Sequence, residues 1–77
     1  MKISIEYCME WNYEPRAFSL RDELINKFGI DSEMRPSSGG VFEIMTNSHL
    51  IFSKKSLNRF PNPGEVVQFV EDLQSVT

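Results

Sequence analysis

The stretch Ile3-Ser4-Ile5-Glu6-Tyr7-Cys8-Met9-Glu10-Trp11 decides the fold, because the hydrophobic pattern of the chain changes directly after it. Its first half alternates apolar and polar side chains, and this period of two is typical of a half-buried strand that ends at Cys8. From Pro15 the apolar residues follow a helical period as far as Phe28, and Gly29 is a stop signal. The sequence therefore predicts a strand followed by a helix over about residues 11–28.

Further strands are predicted in the middle of the chain. Residues 30–35 are predicted to form a polar strand at the edge of the sheet, and Pro36 is expected to end it. The Ser-Ser-Gly-Gly segment at 37–40 indicates a turn. A hairpin follows, with strands at 41–45 and 49–53. Its turn is expected near Thr46 to Ser48.

The last part of the chain is predicted to be a loop and a helix. Residues 54–59 form a polar loop, and Asn62, Pro63 and Glu65 have the spacing of a helix start with a first-turn proline. The apolar positions that follow run at helical spacing from Val66 to Val76. An amphipathic helix is expected there.

These elements give the order β-α-β-β-β-α without an internal repeat or linker. A β-α-β unit needs a parallel strand pair, and the hairpin then adds antiparallel strands. We therefore expect one α/β domain over residues 1–77, a two-layer thioredoxin-like arrangement of a mixed four-stranded sheet and two helices. The phenylalanines expected in its core are Phe18, Phe28, Phe42, Phe52 and Phe69.

Composition limits the function classes. The 77 residues carry a formal net charge of −3, which provides no electrostatic footprint for nucleic acid. The amino terminus lacks a signal-peptide pattern and no apolar run has the length of a membrane span, so a cytoplasmic protein with no membrane association is expected. A single cysteine cannot form an internal disulfide, and Cys8 and His49 have no metal-ligand spacing. No metal or tightly bound cofactor is expected.

Cys8 is the residue in this pattern that carries chemistry. At a strand-to-helix junction, free helix N–H groups stabilise a thiolate, whereas a lone cysteine is otherwise a small buried hydrophobe. The second position of a Cys-x-x-Cys motif is occupied by Trp11. The residues alone leave a reactive and a buried thiol equally open.

Several stretches of the chain resemble the selenoprotein W-related (Rdx) family, in the same order and spacing as in that family. They are Ile5 to Cys8, Asn12 to Arg16, Gly40 to Ile44, Leu50 to Lys55 and Arg59 to Pro61. The resemblance implies a thioredoxin-like fold, a cytosolic location, thiol redox chemistry linked to glutathione, and 14-3-3 proteins as partners. Family members carry Cys-x-x-Sec or Cys-x-x-Cys after the first strand, so only Cys8 retains a redox atom here.

Two functions follow as hypotheses. In the first, Cys8 is a monothiol redox residue, with glutathione or a protein thiol as its partner because Trp11 replaces the second redox position. In the second, the domain is a non-catalytic binding module with an apolar patch of Met9, Trp11 and Phe60 around the thiol. Whether the chain is a thiol-disulfide oxidoreductase is left open. The candidate substrate or partner surface comprises Met9, Glu10, Ser38, Gly39, Gly40 and Phe60.

Overall fold

A computed structural model describes residues 1–75 and consists of one mixed sheet and three helices. The elements are β1 (Ile3–Cys8), α1 (Glu14–Phe28), β2 (Ser32–Ser37), β3 (Phe42–Thr46), β4 (His49–Ser53), α2 (Lys54–Leu57) and α3 (Glu65–Ser75). The sheet order is β2-β1-β3-β4, with β1 parallel to β2 and the other neighbours antiparallel. The predicted α/β thioredoxin-like architecture is confirmed, with α2 as an additional helix.

Strand β1 lies inside the sheet, where its alternating pattern gives it one buried face. Ile3, Ile5 and Tyr7 are buried, while Ser4 and Glu6 are half-buried on the opposite face. Helices α1 and α3 contact each other and pack against strands of the sheet. The core comprises Ile3, Ile5, Tyr7, Cys8, Tyr13, Ala17, Leu20, Leu24, Phe42, Ile44, Phe52, Val66 and Val70.

Helix α1 begins at Glu14, later than the predicted start near residue 11, and Gly29 ends it in a left-handed conformation as predicted. Its buried residues are Ala17, Leu20 and Leu24. The prediction of a core position for Phe18 is wrong, because the inward face of the helix is set by those three residues. Phe18 is 37% exposed and meets the edge of the Tyr7 ring at the side of this face. Two other predicted core residues, Phe28 and Phe69, are only partly buried against the core.

Strand β2 runs through Pro36 to Ser37, so the prediction that Pro36 ends it is wrong. Pro36 pairs in register with Tyr7. An edge strand tolerates proline because only one side of its backbone must form ladder hydrogen bonds. The predicted edge position is confirmed, since β2 is the outermost strand on its side of the sheet.

The hairpin of β3 and β4 turns at Asn47 and Ser48 as predicted, with Asn47 at a positive φ of 54°. The segment after it is a one-turn helix, α2, where a polar loop was predicted. The hydroxyl of Ser53 accepts a hydrogen bond from the Ser56 N–H at 3.1 Å and so caps this helix. Asn58 ends it with a φ of 57°.

Helix α3 begins at Glu65, two residues after the predicted first-turn proline. The Glu65 carboxylate accepts a hydrogen bond from the Asn62 N–H at 2.9 Å, which is the carboxylate half of a capping box. Val66 and Val70 pack into the core, while Val76 lies outside the described residues. Within residues 1–75, no helix has both the length and the apolar character needed to span a membrane.

Candidate functional site at the end of the first strand

Cys8 is the last residue of β1 and is fully enclosed, with 0% of its surface exposed. It lies between two neighbouring strand ends. It is in register with Ser37 of β2, and its N–H donates to the Val41 carbonyl at 2.9 Å. The sulfur expected to carry the chemistry is therefore covered in this structure.

The segment from Met9 to Tyr13 connects Cys8 to helix α1 as a turn. The Met9 N–H donates to the Ser37 carbonyl at 2.9 Å, and the Tyr13 N–H donates to the Cys8 carbonyl at 3.4 Å. Asn12 has a positive φ of 59°. Tyr13 is the N-cap of α1 and forms no side-chain capping bond, so no cap side chain competes for the N–H groups of the first helical turn.

Trp11 lies at the surface above Gly40. Its indole is 63% exposed, and the neighbouring Met9 is 49% exposed. A Cβ atom built on Gly40 would lie 2.9 Å from the Trp11 Cζ3 atom, so the ring rests directly on the glycine backbone. Trp11 therefore does not pack into the inner face of α1. Glu10 is also exposed on this turn.

Tyr13 links the indole to an aromatic cluster beneath it. The Trp11 and Tyr13 rings meet edge to face at 6.3 Å, and Tyr13 and Phe60 do so at 4.7 Å. Phe60 also meets Phe42 at 5.3 Å. Phe60 is half-buried in this cluster and is joined to Trp11 through Tyr13.

Two cations lie over the aromatic cluster. The Arg16 guanidinium carbon is 4.2 Å from the centre of the Phe60 ring. The Lys54 ammonium nitrogen is 5.4 Å from the same ring and 5.5 Å from that of Tyr13. The sequence analysis included Tyr13 and Arg16 only in a stretch that resembles the Rdx family, and it assigned neither residue to the site. The sequence placed Lys54 in a polar loop, where contact with an acidic partner was the alternative to a solvated side chain, and its spacing does not show that α2 brings it to Tyr13.

A groove of about 440 Å³ opens beside Trp11, and we call it the cationic groove. It lies between the indole, the backbone of Gly39 and Gly40, and the residues of α2. The side chains that matter for its charge are Lys54 and Lys55, and no acidic residue lines it. Three residues of the expected partner surface, Ser38, Gly39 and Gly40, thus lie next to Trp11.

The Arg59–Glu65 ion pair fixes the loop that carries Phe60. The Arg59 guanidinium binds both carboxylate oxygens of Glu65 at 2.7 and 2.8 Å, and it also donates to the Phe60 carbonyl at 3.0 Å. The Arg59 hydrogen bonds and that of the Asn62 N–H lower the pKa of Glu65 from 4.5 to about 2. These contacts of Arg59 with Glu65 and with the Phe60 carbonyl, which we call the Arg59 clamp, therefore help to hold Phe60 in place against Tyr13.

A half-buried carboxylate, that of Glu43, lies in the sheet next to β1, level with the residue two positions before Cys8. Glu43 of β3 is opposite Glu6 of β1, and it accepts a hydrogen bond from the Ser53 hydroxyl at 2.5 Å. The other oxygen, Oε2, is buried without a hydrogen-bond partner. Ser53 thus connects this carboxylate to the N-terminus of α2. The sequence pattern marked Glu43 only as a strand residue.

Residues 1–75 contain no group of three or more His, Cys, Asp or Glu side chains able to hold a metal ion. Cys8 is likewise the one free thiol in the whole sequence. What the site offers is a covered sulfur, an exposed indole, an aromatic cluster and neighbouring cations.

These features define a small thioredoxin-like domain with its strand-to-helix junction at the site. The chain belongs to the Rdx family, whose model matches residues 2–72. It is 31% identical to selenoprotein W of Danio rerio over 88% of this chain and 84% of that protein. It is 29% identical to migration and invasion enhancer 1 of Bos taurus over 100% of this chain and 73% of that protein.

Solved structures agree with this assignment. The crystal structure of a selenoprotein W-related protein from Vibrio cholerae matches with a TM-score of 0.86 and 33% identity, covering 94% of each chain. A crystal structure from Bordetella parapertussis matches with a TM-score of 0.87 and 30% identity, covering 92% of this chain and 94% of the other. The similarity extends over nearly the whole chain.

Proposed function

We propose that this Rdx-family domain acts as a protein-binding module that contacts its partners through Trp11 and Met9. The observation that carries the proposal is the contrast in exposure between the two positions of the redox motif. Cys8 has no exposed surface, while Trp11 has 63% of its surface in solvent. Any partner that approaches this end of the sheet meets the indole before the sulfur.

The surroundings of Trp11 suit a binding residue. Gly40 supports one side of the indole and Tyr13 meets it edge to face, so the ring loses little further freedom when a partner covers it. Tryptophan is among the residues that most often dominate binding energy at protein interfaces. An exposed indole held in this way is a ready contact for an apolar pocket or an extended segment.

The test is affinity capture with the whole chain as bait and purified partners as confirmation. Wild-type protein, Trp11→Ala and Leu50→Ala are compared, because Leu50 is another exposed apolar residue, 54% exposed, on strand β4. Partners that depend on Trp11 should be lost with Trp11→Ala and kept with Leu50→Ala. A purified 14-3-3 protein is included because the family resemblance implies it. Equal capture by all three baits would refute the proposal.

A second candidate function is monothiol redox chemistry at Cys8. Two observations favour it: no side chain caps the N-terminus of α1, and few hydrogen bonds hold the turn of residues 9–13 that follows the thiol. Two backbone hydrogen bonds, from Met9 and Tyr13, join this turn to the strand ends. Opening of the turn would expose the thiol beside free helix N–H groups, which favour the thiolate.

The redox step is thiol-disulfide exchange. The Cys8 thiolate attacks one sulfur of glutathione disulfide, the disulfide bond breaks, and one glutathione leaves as a thiolate. A second reduced glutathione then attacks the mixed disulfide, which restores Cys8 and yields glutathione disulfide. No second cysteine in the chain is needed for this cycle. A glutathionylated protein enters the same cycle in place of glutathione disulfide.

Mass spectrometry after exposure to glutathione disulfide separates the two candidates. The redox function predicts a glutathione adduct on Cys8 that forms in the folded protein and disappears when reduced glutathione is added. An adduct that forms in denaturant but not in the folded protein would exclude the redox candidate. Such a result leaves the binding function intact.

A further inference from the structure

We propose that the cationic groove beside Trp11 binds an acidic peptide segment that also carries an apolar side chain. The proposal deepens the binding function above and rests on it, because it names the chemistry of the partner. The proposal rests on the positions of the Lys and Arg side chains that have no carboxylate partner within the described part of the chain. Most of these side chains lie near the Trp11 indole.

The chain has eight Lys and Arg residues. Among the described residues, Arg21, Lys27, Arg35 and Arg59 each have a carboxylate partner within 4.0 Å. The other four are Lys2, Arg16, Lys54 and Lys55. Three of these four lie at the Trp11 end of the molecule, on the aromatic cluster or in the groove. Free positive charge is therefore gathered at one end of a domain whose net charge is −3.

The groove itself has no counter-charge of its own. Lys54 and Lys55 line it, and no Asp or Glu does, although Glu10 and Glu14 belong to the neighbouring turn and helix start. Two other cavities in this structure, by contrast, are each lined by acidic side chains. Charge complementarity thus favours a negatively charged occupant in this groove in particular.

The size and walls of the groove favour a peptide over a small anion. Its volume of about 440 Å³ is within the range of ligand sites and exceeds what an isolated phosphate or carboxylate would fill. One wall is the exposed face of Trp11, which offers an apolar contact, and another is the backbone of Gly39 and Gly40. An acidic segment with a leucine or phenylalanine would use the lysines and the indole together.

The experiment is fluorescence anisotropy with the whole chain and a labelled peptide, Glu-Asp-Leu-Phe-Glu-Glu. A matched peptide, Gln-Asn-Leu-Phe-Gln-Gln, keeps the apolar residues and loses the charge. The acidic peptide should bind at least about tenfold more tightly at low salt, and the difference should shrink as salt screens the charges of the two lysines.

Two double variants locate the site. Lys54→Gln with Lys55→Gln should weaken binding of the acidic peptide about five- to tenfold. Lys2→Gln with Lys27→Gln removes the same charge at distant positions and should leave the affinity unchanged. Trp11→Ala should weaken both peptides. Circular dichroism and thermal unfolding confirm that each variant is folded.

Equal affinity for the two peptides, or equal loss in the two double variants, would overturn the acidic-peptide assignment. The broader binding function is tested separately by affinity capture. If the peptide experiment fails but a purified partner is still captured through Trp11, the binding function stands and only the acidic-peptide assignment is wrong. If inorganic phosphate competes fully with the acidic peptide at equal concentration, the groove is a simple anion site and the proposal is wrong.

Discussion

Trp11 and Gly40 are in direct contact, with the indole lying on the glycine backbone so closely that a Cβ atom at position 40 would be 2.9 Å from Cζ3. The two residues come from the turn after β1 and from the segment before β3. Their contact holds an exposed aromatic ring in a defined orientation at the strand-to-helix junction. Because of this contact, a substitution at Gly40 should change the position of the Trp11 ring while Trp11 itself is left unchanged.

Gly40→Ala should displace the indole. The new methyl group conflicts with the ring, and because the ring is exposed it can swing away at small cost. The remaining cost is that of alanine at a φ of 73°, about 1–2 kcal/mol of unfolding free energy. Trp11 is the only tryptophan, so its fluorescence and indole N–H resonance report the displacement directly.

Gly39→Ala is the matched control for that change. Gly39 has a φ of 78°, but nothing lies within 4 Å of its added Cβ atom. Both variants should lose similar stability in urea denaturation, while only Gly40→Ala changes the tryptophan signals. An unchanged indole resonance in Gly40→Ala would contradict the contact.

The Cys8 thiol should react slowly with iodoacetamide in the folded protein and rapidly in denaturant, because alkylation requires access to a sulfur with no exposed surface. The ratio of the two rates measures how often the turn above it opens. Rates are followed by mass spectrometry at several pH values. Similar rates in the folded and denatured protein would show that the thiol is accessible.

Substitutions of Cys8 test its packing role. Cys8→Ala should cost about 1 kcal/mol of unfolding free energy through the small cavity that it leaves. Cys8→Ser should cost more, about 2 kcal/mol, because it buries a hydroxyl in place of the sulfur. The midpoints of denaturant unfolding distinguish the two. A Cys8→Ser variant as stable as wild type would indicate that the residue is hydrated.

Glu65 should make stability depend on acid pH. Its pKa in the folded protein is about 2, below the ordinary value of 4.5. The ionised form is thus favoured by folding, so its stabilisation is present above pH 4.5 and is lost as the pH falls toward 2. Glu65→Gln should be less stable than wild type near neutral pH, and the difference should vanish in acid.

Thermal unfolding over this pH range measures the effect. Glu10→Gln is the control, because Glu10 is an exposed carboxylate without an ion-pair partner among the described residues. A difference between Glu65→Gln and wild type that does not change with pH would mean that the Arg59 clamp does not form in solution.

The sequence predicted the fold through features that act locally. The alternation in β1, the stop at Gly29 and the turn at Asn47 each depend on a few neighbouring residues, and each appears in the structure. Pro36 was misjudged although the edge position was predicted correctly, because an edge strand can contain a proline, and whether the pairing with β1 continues through Pro36 depends on the neighbouring strand. Phe18 was misjudged because three smaller residues set the inward face of α1.

The site was predictable in its position but not in its exposure. Cys8 and Trp11 were identified by their spacing after β1. The burial of Cys8 and the orientation of the exposed Trp11 depend on contacts with Ser37, Val41 and Gly40, which come from segments distant in sequence. The position of Lys54 near Tyr13 likewise depends on the α2 turn that the sequence pattern did not indicate.

The burial of Cys8 has a practical consequence for storage of the purified protein. Air oxidation joins two proteins through their cysteines only when two sulfurs can meet, and a sulfur inside a sheet cannot reach its counterpart in another copy. Stored without reductant, this chain should therefore run as a single band on a non-reducing gel, although it carries an unpaired cysteine.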